Sequence, residues 1–436
     1  MFKNSFWLFF ASILGISTQY LQAQNITASP YSMLGIGEMV YTGNANFLSM
    51  GQIGQGIRMN SLINVSNSAS FGALKQTNIE AGAALSNAEI STANQKTTNS
   101  NAWLSYINFG MPLSIKREIG LSFGLAPFSS IGYQINTIDS VKNDTFMVPV
   151  SKIFSGKGGL SKVHLGMGMR LYKQLSIGID YQYVFGQLKH TNQLIIPSQY
   201  NMFGVNQDKD SYASGSVVSI AAQYHKYFNY STKRNLPDSF EFVLGANFRP
   251  EADLKADQQL LIRTLPLGLG IGTKDTISNQ TQQTGSLILP ALFQVGFSFG
   301  NTDKWLVASD IRFSDWTQYK LFGNQETSLQ QAFGFSLGTS YCADAYQYKN
   351  MVSRTTYRAG FRFDQTAVKI NNQSLDEIAF SFGLGFPMGR SRSTLNIGVE
   401  LMKRGNLTSN QIQENYFKLV LGINFADRWF NRYRYD

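Results

Sequence analysis

The 436-residue chain has little of what soluble enzymes usually carry. Its single cysteine, Cys342, excludes an internal disulfide framework, and its three histidines include no pair at metal-ligand spacing. Only 15% of the residues are charged, against about 25% in an average soluble domain. Beyond residue 24 no run approaches the ~18 apolar residues that a spanning helix requires. The mature chain is therefore either a soluble exported protein or a protein that crosses a membrane with β-strands.

The scarcity of histidine and cysteine also limits the kinds of catalysis that we expect from this chain. The candidate general bases are His164, His190 and His225, and no nucleophile or acid stands at a recognisable spacing from them. The Gly-rich stretches lack the lysine of a phosphate-binding loop. We therefore predict that the protein is not an enzyme and has no metal and no cofactor. The net charge of +10 favours anionic partners such as lipid head groups, but the basic residues form no stripe, and we expect no nucleic-acid partner.

The N-terminus has the features of a secretory signal. Lys3 supplies a positive charge, residues 6–16 form an apolar stretch too short to span a bilayer, and Ala23 offers a small residue at a cleavage edge. We predict a signal peptide over 1–23, cleaved near Ala23, so that the mature chain begins at Gln24. An uncleaved membrane anchor is the less favoured alternative.

Period-two alternation is the main pattern after this segment. In the last strand candidate the alternating apolar residues are Phe417, Leu419, Leu421, Ile423 and Phe425. An aromatic and basic stretch follows, with Trp429, Phe430, Tyr433, Tyr435 and three arginines. A strand with one apolar face that ends in aromatic and basic residues is typical of a membrane β-barrel at the bilayer interface.

About fourteen strand candidates occur, an even number as bacterial barrels require, and short connections alternate with longer ones. The longest predicted outer loops cover 128–160, 188–212 and 250–286. A soluble β-sandwich or propeller has no reason to sort its loops in this way, and it remains the minor alternative. We predict an all-β fold, a transmembrane antiparallel β-barrel of about 14 strands over 77–436.

Residues 24–76 precede the first strand and show no sustained period. They are rich in Gly, Ser, Asn and Met, yet Ile53, Ile57 and Ile63 make them too apolar for a solvated tail. We predict that this stretch folds into the barrel lumen as a plug, or hatch.

Several short motifs resemble those of one family. They are Ser-Pro-Tyr-Ser-Met-Leu-Gly-Ile-Gly at 29–37, Met-Gly-Gln-Ile-Gly-Gln-Gly at 50–56, Asn-Ser-Ala-Ser at 67–70, Gly-Lys-Gly-Gly-Leu at 156–160, Glu-Asn-Tyr-Phe at 414–417 and Asp-Arg-Trp-Phe at 427–430. On these motifs the chain resembles the FadL-like outer-membrane transport proteins, with Ser68 in the place of the family's hatch proline. The resemblance implies a fourteen-stranded barrel, uptake of hydrophobic compounds such as long-chain fatty acids, and a hatch that includes Gly51, Gly54, Gly56, Asn67 and Ala69.

Transport of an amphipathic acid requires an apolar pocket and a few cations for the carboxylate. By strand parity the cations that face the lumen are Arg170, Arg312, Arg358, Arg362 and Lys418. Two interpretations of these residues stay open, which are ligand binding and a structural ion network with acids on the same face. Arg358 and Arg362, four residues apart on one strand, are the sharper candidates for anion contact.

The predicted function is passive transport of hydrophobic or amphipathic small molecules across the cell outer membrane of a Gram-negative bacterium. The expected partners are the ligand and the outer-membrane lipids, with a protein partner in the outer membrane as a further candidate. The alternative is a scaffold that transports nothing, or a partner subunit of a secretion or surface-display machine.

Overall fold

The computed structural model describes residues 26–41, 43–142, 147–200, 202–228, 240–266, 275–301, 304–345, 350–389 and 392–427. The strands are β1 (Glu38–Met39), β2 (Thr77–Ser91), β3 (Lys96–Ser114), β4 (Ile119–Lys142), β5 (Met147–Tyr172), β6 (Leu175–Ile195), β7 (Gly204–Phe228), β8 (Phe240–Arg249), β9 (Ala252–Leu265), β10 (Thr276–Leu289), β11 (Leu292–Asn301), β12 (Trp305–Asp315), β13 (Lys320–Leu321), β14 (Asn324–Gln325), β15 (Gln331–Cys342), β16 (Thr356–Ile370), β17 (Gln373–Pro387), β18 (Thr394–Arg404) and β19 (Gln413–Asp427). Two short α-helices cover Ala45–Leu48 and Met351–Arg354, and 3₁₀ helices cover Pro30–Met33, Ser68–Ala73, Ser198–Tyr200 and Trp316–Gln318. The predicted signal peptide and the aromatic stretch at 428–436 lie outside the described residues.

Fourteen of these strands form a closed antiparallel barrel. Their order is β2 to β8, then β11, β12 and β15 to β19, and β19 pairs with β2 to complete the circle. Every strand predicted from alternation lies on one of the fourteen, so the predicted barrel is confirmed. Within the described residues, no helix is both long and apolar enough to cross a membrane.

The outer face of the barrel carries an apolar band. On β5, Val163, Leu165 and Met167 are 40–51% exposed, whereas His164 between them is buried. The same alternation of exposed apolar and buried small or polar residues recurs around the barrel. A continuous apolar surface of this extent is unfavourable in water, and it fits the hydrocarbon layer of a membrane.

The regions predicted as long outer loops are mostly strand, so that prediction was wrong. Residues Ile119 to Lys142 of β4 stay paired with residues Met147 to Met169 of β5, and β6 and β7 extend in the same way. In outer-membrane barrels the short turns usually lie at the inner, periplasmic end. These extensions lie at the opposite end of the strands, so they project outward. Beyond the buried base of the extension, residues 136–142 of β4 are exposed on both faces, so the alternation is lost there while the hydrogen-bonded ladder continues.

One hairpin of the wall is interrupted at the base of this extension. Pro250 and Glu251 separate β8 from β9, and Pro290 and Ala291 separate β10 from β11. The two interruptions lie opposite each other, because Arg249 pairs with Leu292 just below them. Proline has no N–H to donate, so the ladder cannot continue through these positions.

Residues 26–76, which we call the lumenal segment, lie inside the barrel and contact all fourteen of its strands. Inward-facing glycines allow the approach. A Cβ at Gly360 of β16 would collide with the backbone of Met50 and Gly51, and one at Gly245 of β8 would collide with the backbone of Gln55. The backbones of the wall and the segment therefore touch where any larger residue would separate them.

The lumenal segment runs from the outer end to the inner end of the barrel. Its first part, residues 26–41, is called the first leg. There the Tyr31 hydroxyl donates to the Ile412 carbonyl, 2.7 Å away, in the connection between β18 and β19. Met39 pairs with Ser129 on β4, and Thr77 begins β2 at the inner end. The first leg thus occupies the outer half of the lumen.

A larger side chain at Gly360 tests the backbone contact between wall and segment. Gly360→Leu is expected to lower the free energy of unfolding in detergent by about 1–3 kcal/mol, because the added atoms overpack a filled lumen. Urea unfolding followed by tryptophan fluorescence measures the change. Ala359→Leu, one residue away on the outward face, is the matched control, and an equal loss in both variants would contradict the contact.

Candidate functional site

The described residues enclose a cavity of about 430 Å³ in the outer half of the lumen. The first leg lines one side of it, residues 48–66 line the inner side, and the barrel wall completes it. Its size falls in the range of small-molecule sites, and its lining mixes apolar with charged groups.

An apolar cluster lies on the outer side of the cavity. Its buried members include Ile36 of the first leg, Leu160, Leu254, Leu287 and Trp316. Most come from the bases of the strand extensions, where inward positions are shielded from water. Burial of these side chains stabilises the packing on this side of the cavity.

The inner side of the cavity rests on a second cluster within the lumenal segment. Phe47, Met50, Ile53 and Ile57 pack against Leu306 and Ala308 of β12. The helix Ala45–Leu48 begins at Asn44, whose side chain accepts from the Phe47 N–H at 3.2 Å. The cap satisfies a backbone donor that would otherwise be buried without a partner.

One side wall carries a buried network of charged residues, called the charged cluster. Its members are the cations Arg312, Arg362, Arg404 and Lys418 and the carboxylates Glu38, Asp364, Glu377, Glu400 and Glu414. Except for Glu38, they lie on β12 and on the four neighbouring strands β16 to β19, with β15 between β12 and β16. Inward-facing charges at the same height in the barrel pair with each other, because an unpaired charge there would have neither water nor a counter-ion.

Arg404 is the central cation of the charged cluster and was not singled out from the sequence. It donates to Glu38 and Glu377 at 2.6 Å and to Glu414 at 3.1 Å, and it is 4% exposed. Burial alone would raise the pKa of Glu38, but Arg404 and Lys418 hold that pKa below its ordinary value. Glu38 belongs to the first leg, so this ion pair fastens the leg to the wall.

The cations predicted for ligand contact lie at three different places. Arg312, Arg362 and Lys418 belong to the charged cluster, where Arg312 donates to Asp364 at 2.7 Å and Arg362 donates to Glu377 at 3.1 Å. Arg358 donates to Asn396 at 3.4 Å and does not line the cavity.

Arg170 lies near the inner end of the barrel. It pairs with Glu118 at 2.9 Å, and Glu118 also accepts from Arg58 of the lumenal segment at 3.0 Å. This pair of arginines fastens the segment at its inner side, far from the cavity lining.

The predicted hatch glycines form turns against the wall. Gly51 has a φ of +73°, which favours glycine, and its N–H donates to the Ser381 hydroxyl at 2.9 Å. The Gly54 and Gln55 N–H groups both donate to one Asp310 oxygen, at 2.6 and 2.9 Å. The Gly56 carbonyl accepts from the Ser298 hydroxyl at 2.6 Å.

Asn67 and Ala69 lie at the start of the 3₁₀ helix Ser68–Ala73. The Asn67 side chain accepts from the Ala69 N–H at 3.1 Å and donates to the Ala246 carbonyl at 3.2 Å. The asparagine therefore caps the turn directly, and Ser68 occupies the position of the family's proline without loss of the turn.

The opposite side wall carries two cations that the sequence analysis missed, Lys162 of β5 and Arg249 of β8. Both line the cavity, and their charged groups lie 6.0 and 5.9 Å from the centroid of one ring, that of Phe128. Lys162 lies two residues before the inward-facing His164, and Arg249 lies two residues after the inward-facing Asn247. Alternation along each strand therefore places both cations in the lumen. Both residues lie one position beyond the strands that alternation predicts, so the sequence pattern assigns them to no face.

The described residues contain no group of three or more potential ligands that could hold a metal ion. The Nδ1 of His164 contacts Asp180 at 3.1 Å and its Nε2 contacts Asn108 at 3.2 Å. His190 contacts the Tyr133 hydroxyl at 2.9 Å in the outer extension. Both imidazoles are thus held in place by neighbouring polar side chains.

Solved structures with a similar fold include several transport proteins. A FadL homologue of Pseudomonas aeruginosa matches with 10% identity and a TM-score of 0.57, over 89% of this chain and 98% of that one. The toluene transporter TbuX of Ralstonia pickettii matches with 12% identity and a TM-score of 0.56, over 89% and 99%. The toluene transporter TodX of Pseudomonas putida matches with 15% identity and a TM-score of 0.58, over 90% and 100%. The expected FadL-like fold is therefore confirmed.

The family assignment comes from a family model described as BamG, which matches residues 1–436. The chain belongs to the BamG family. A FadL-like barrel closed by a lumenal segment is thus the architecture of this BamG-family member. No curated protein matches the chain.

The charged cluster gives a stability prediction. Arg404→Leu should lower the free energy of unfolding by about 3–5 kcal/mol, because it leaves buried carboxylates without their cation. Chemical unfolding of the purified barrel in detergent measures it. Lys96→Leu is the control, since the pair of Lys96 with Glu89 is exposed and its loss is expected to have no measurable effect. Similar stability of the two variants would show that Arg404 does not fasten the first leg.

Proposed function

We propose that this BamG-family barrel is a passive outer-membrane transporter of hydrophobic or amphipathic small molecules, of the long-chain fatty acid type. The observation that carries the proposal is the cavity inside the lumen, lined by apolar and charged groups and flanked by an apolar cluster. The FadL-like fold supports it, because proteins described as toluene transporters share that fold. The predicted signal peptide and the apolar outer band support a location in the cell outer membrane.

In the proposed mechanism the lumenal segment is a hatch. A ligand partitions from the outer side into the cavity and then passes inward when part of the hatch moves. The concentration difference drives the movement, and the protein performs no chemistry on the ligand. The proposal therefore treats the protein as a non-enzyme.

The first leg is the part of the hatch that we expect to move. Its contacts with the wall include a two-residue ladder with β4, the pair of Glu38 with Arg404, the Tyr31 hydroxyl on the Ile412 carbonyl, and the Ser29 hydroxyl, which donates to Glu414 at 2.6 Å. In the first leg Gly37 lies against the wall backbone at Ser130, whereas residues 45–74 touch the wall backbone at many glycines. Separating the few contacts of the leg disturbs the barrel less than separating backbones that interlock at many positions, so the leg is the weaker attachment.

A reversible cross-link tests this movement. Met39 and Ser129 lie directly opposite each other in an antiparallel pair, at a spacing that suits a disulfide. In a Cys342→Ser background, oxidation of Met39→Cys/Ser129→Cys should lower uptake of dodecanoate into proteoliposomes at least tenfold, and reduction should restore it.

The matched control is Glu89→Cys/Thr98→Cys, an opposite pair within the wall, on β2 and β3. Its oxidation should leave uptake unchanged. Equal uptake by the oxidised and reduced forms of the Met39–Ser129 variant would show that the first leg is not the moving part.

The second candidate function is a scaffold or a partner subunit of a secretion or surface-display machine. The contact of the lumenal segment with all fourteen strands favours it, because a plug held around its whole perimeter suits a permanently closed barrel. Two measurements on protein extracted gently from native membranes separate the candidates. A transporter should carry enriched apolar small molecules in mass spectrometry, relative to unrelated barrels. A subunit should instead arrive without them, in a stoichiometric protein complex.

A further inference from the structure

We propose that Lys157 of β5 and Lys189 of β6 form a site on the outside of the barrel wall that binds the phosphate of a lipid in the outer leaflet. The site is separate from the lumenal cavity. The inference therefore goes beyond the proposed transport function and does not depend on it.

The two lysines lie side by side on the outward face of the wall. They are direct partners in the antiparallel ladder between β5 and β6. On β6, Lys189 shares its face with the exposed Phe185, whereas the neighbouring Leu188 is buried in the outer apolar cluster. On β5, Lys157 likewise shares its face with the exposed Val163. Like charges at directly opposite positions of a sheet are unfavourable, so an anion between them would stabilise the pair.

The height of the pair places it just beyond the outer border of the apolar band. The outward apolar and aromatic residues of β6 run from Leu175 to Phe185. Ten residues of a tilted strand rise about 25 Å, which is the usual height of the apolar band in such barrels. Lys189 is the second outward residue after Phe185. Its long side chain can reach back to the head-group layer that borders the hydrocarbon.

Aromatic residues mark the same border of the band. Tyr183 and Tyr212 are 43% and 48% exposed on the outward face. The Tyr212 hydroxyl accepts from the side chain of Gln187 at 3.0 Å, and Gln187 lies between Phe185 and Lys189 on that face. Tyrosines with an apolar ring and a polar tip are typical of the head-group level, so the lysines lie where lipid phosphates occur.

The pair carries one more positive charge than the acid beside it neutralises. Lys189 lies 3.6 Å from Asp210 on β7. Among the described residues, no carboxylate lies within ion-pair distance of Lys157. By contrast Lys152, farther out on β5, pairs with Asp139. A phosphate bound between the two lysines would supply the missing counter-charge.

Space for a head group is left beside the pair. Lys157 is exposed, and the residue two positions toward the apolar band is Gly159. A Cβ at Gly159 would lie 2.3 Å from the Ser129 carbonyl oxygen, so the packing of β4 against β5 keeps this position without a side chain. The ammonium of Lys157 is therefore not covered from the side of the membrane.

A lipid phosphate fits the site better than a soluble anion does. An ammonium is a compact point charge that suits phosphate. The outward surface also continues from the two lysines directly into Phe185 and Val163 of the apolar band. Acyl chains would cover that surface and hold the head group at the height of the lysines, whereas a soluble anion would leave the apolar surface unused.

The test compares lipid A, a phosphorylated glycolipid, with the same lipid after removal of its phosphates. Native mass spectrometry of the full-length protein in a neutral detergent measures both dissociation constants. In Lys157→Gln/Lys189→Gln the dissociation constant for lipid A should rise about 10- to 30-fold, because two lysines no longer attract the phosphate. The dissociation constant for the phosphate-free lipid should stay within a factor of about 2. An excess of inorganic phosphate should not displace lipid A from the wild type.

The matched control is Lys142→Gln/Lys152→Gln. Both of its lysines lie farther out on the hairpin of β4 and β5, and the change in net charge is the same. Its dissociation constant for lipid A should stay within a factor of about 2 of the wild-type value, since these positions lie beyond the head-group layer.

Four results would overturn the lipid site. If Lys157→Gln/Lys189→Gln binds lipid A as tightly as the wild type does, the two lysines do not recognise the phosphate. If both double variants lose affinity equally, only the net charge matters. If the wild type binds the two lipids equally, no phosphate is recognised. If inorganic phosphate displaces lipid A, the site takes a soluble anion. The transport proposal stands in each case.

Discussion

Inside the barrel, the backbone of the lumenal segment lies against wall positions that are glycine. At Gly360 and Gly245 a single added carbon would meet main-chain atoms of Met50, Gly51 or Gln55. This close approach lets about fifty residues fit within a ring of fourteen strands and brings donors of the segment to wall acceptors such as Asp310. The position of the first leg, the floor of the cavity and the register of the ion pairs all depend on it. A barrel lined by larger side chains would be filled before the segment entered.

Charge is distributed unequally around the cavity that results. One wall holds cations and carboxylates that neutralise each other, with Arg404 fastening the first leg through Glu38. On the other wall, Lys162 and Arg249 lie at the ring of Phe128. Acids face inward beside the cations on β16 to β19, whereas among the described residues none lies within ion-pair distance of Lys162 or Arg249. The two sides of one lumen therefore differ in charge.

The outer extensions add a second constraint. They continue six strands beyond the apolar band and enclose a core that includes Leu160, Leu254 and Leu287. The paired interruptions at Pro250 and Pro290 mark where the extension meets the wall, and they also place Arg249 at the cavity. The chain shares its fold with FadL-like transport proteins at 10–15% identity, so these features rest on this chain's own residues rather than on any transferred site.

The sequence alone determined the barrel, because the alternation of lipid-facing and lumen-facing residues is visible within each strand by itself. The apolar residues Ile53, Ile57 and Ile63 likewise predicted that 24–76 would enter the lumen. Parity identified Arg312 and Arg362 as inward-facing. Only the tertiary structure decided which cations have partners, since Arg362 meets acids from other strands while Arg249 meets no acid among the described residues. It also decided that β4 and β5 stay paired through most of the region 128–160. A ladder forms only where a distant stretch of backbone runs alongside the strand. An ion pair forms only where two strands bring opposite charges to the same height in the barrel. Neither condition can be read from the local sequence pattern.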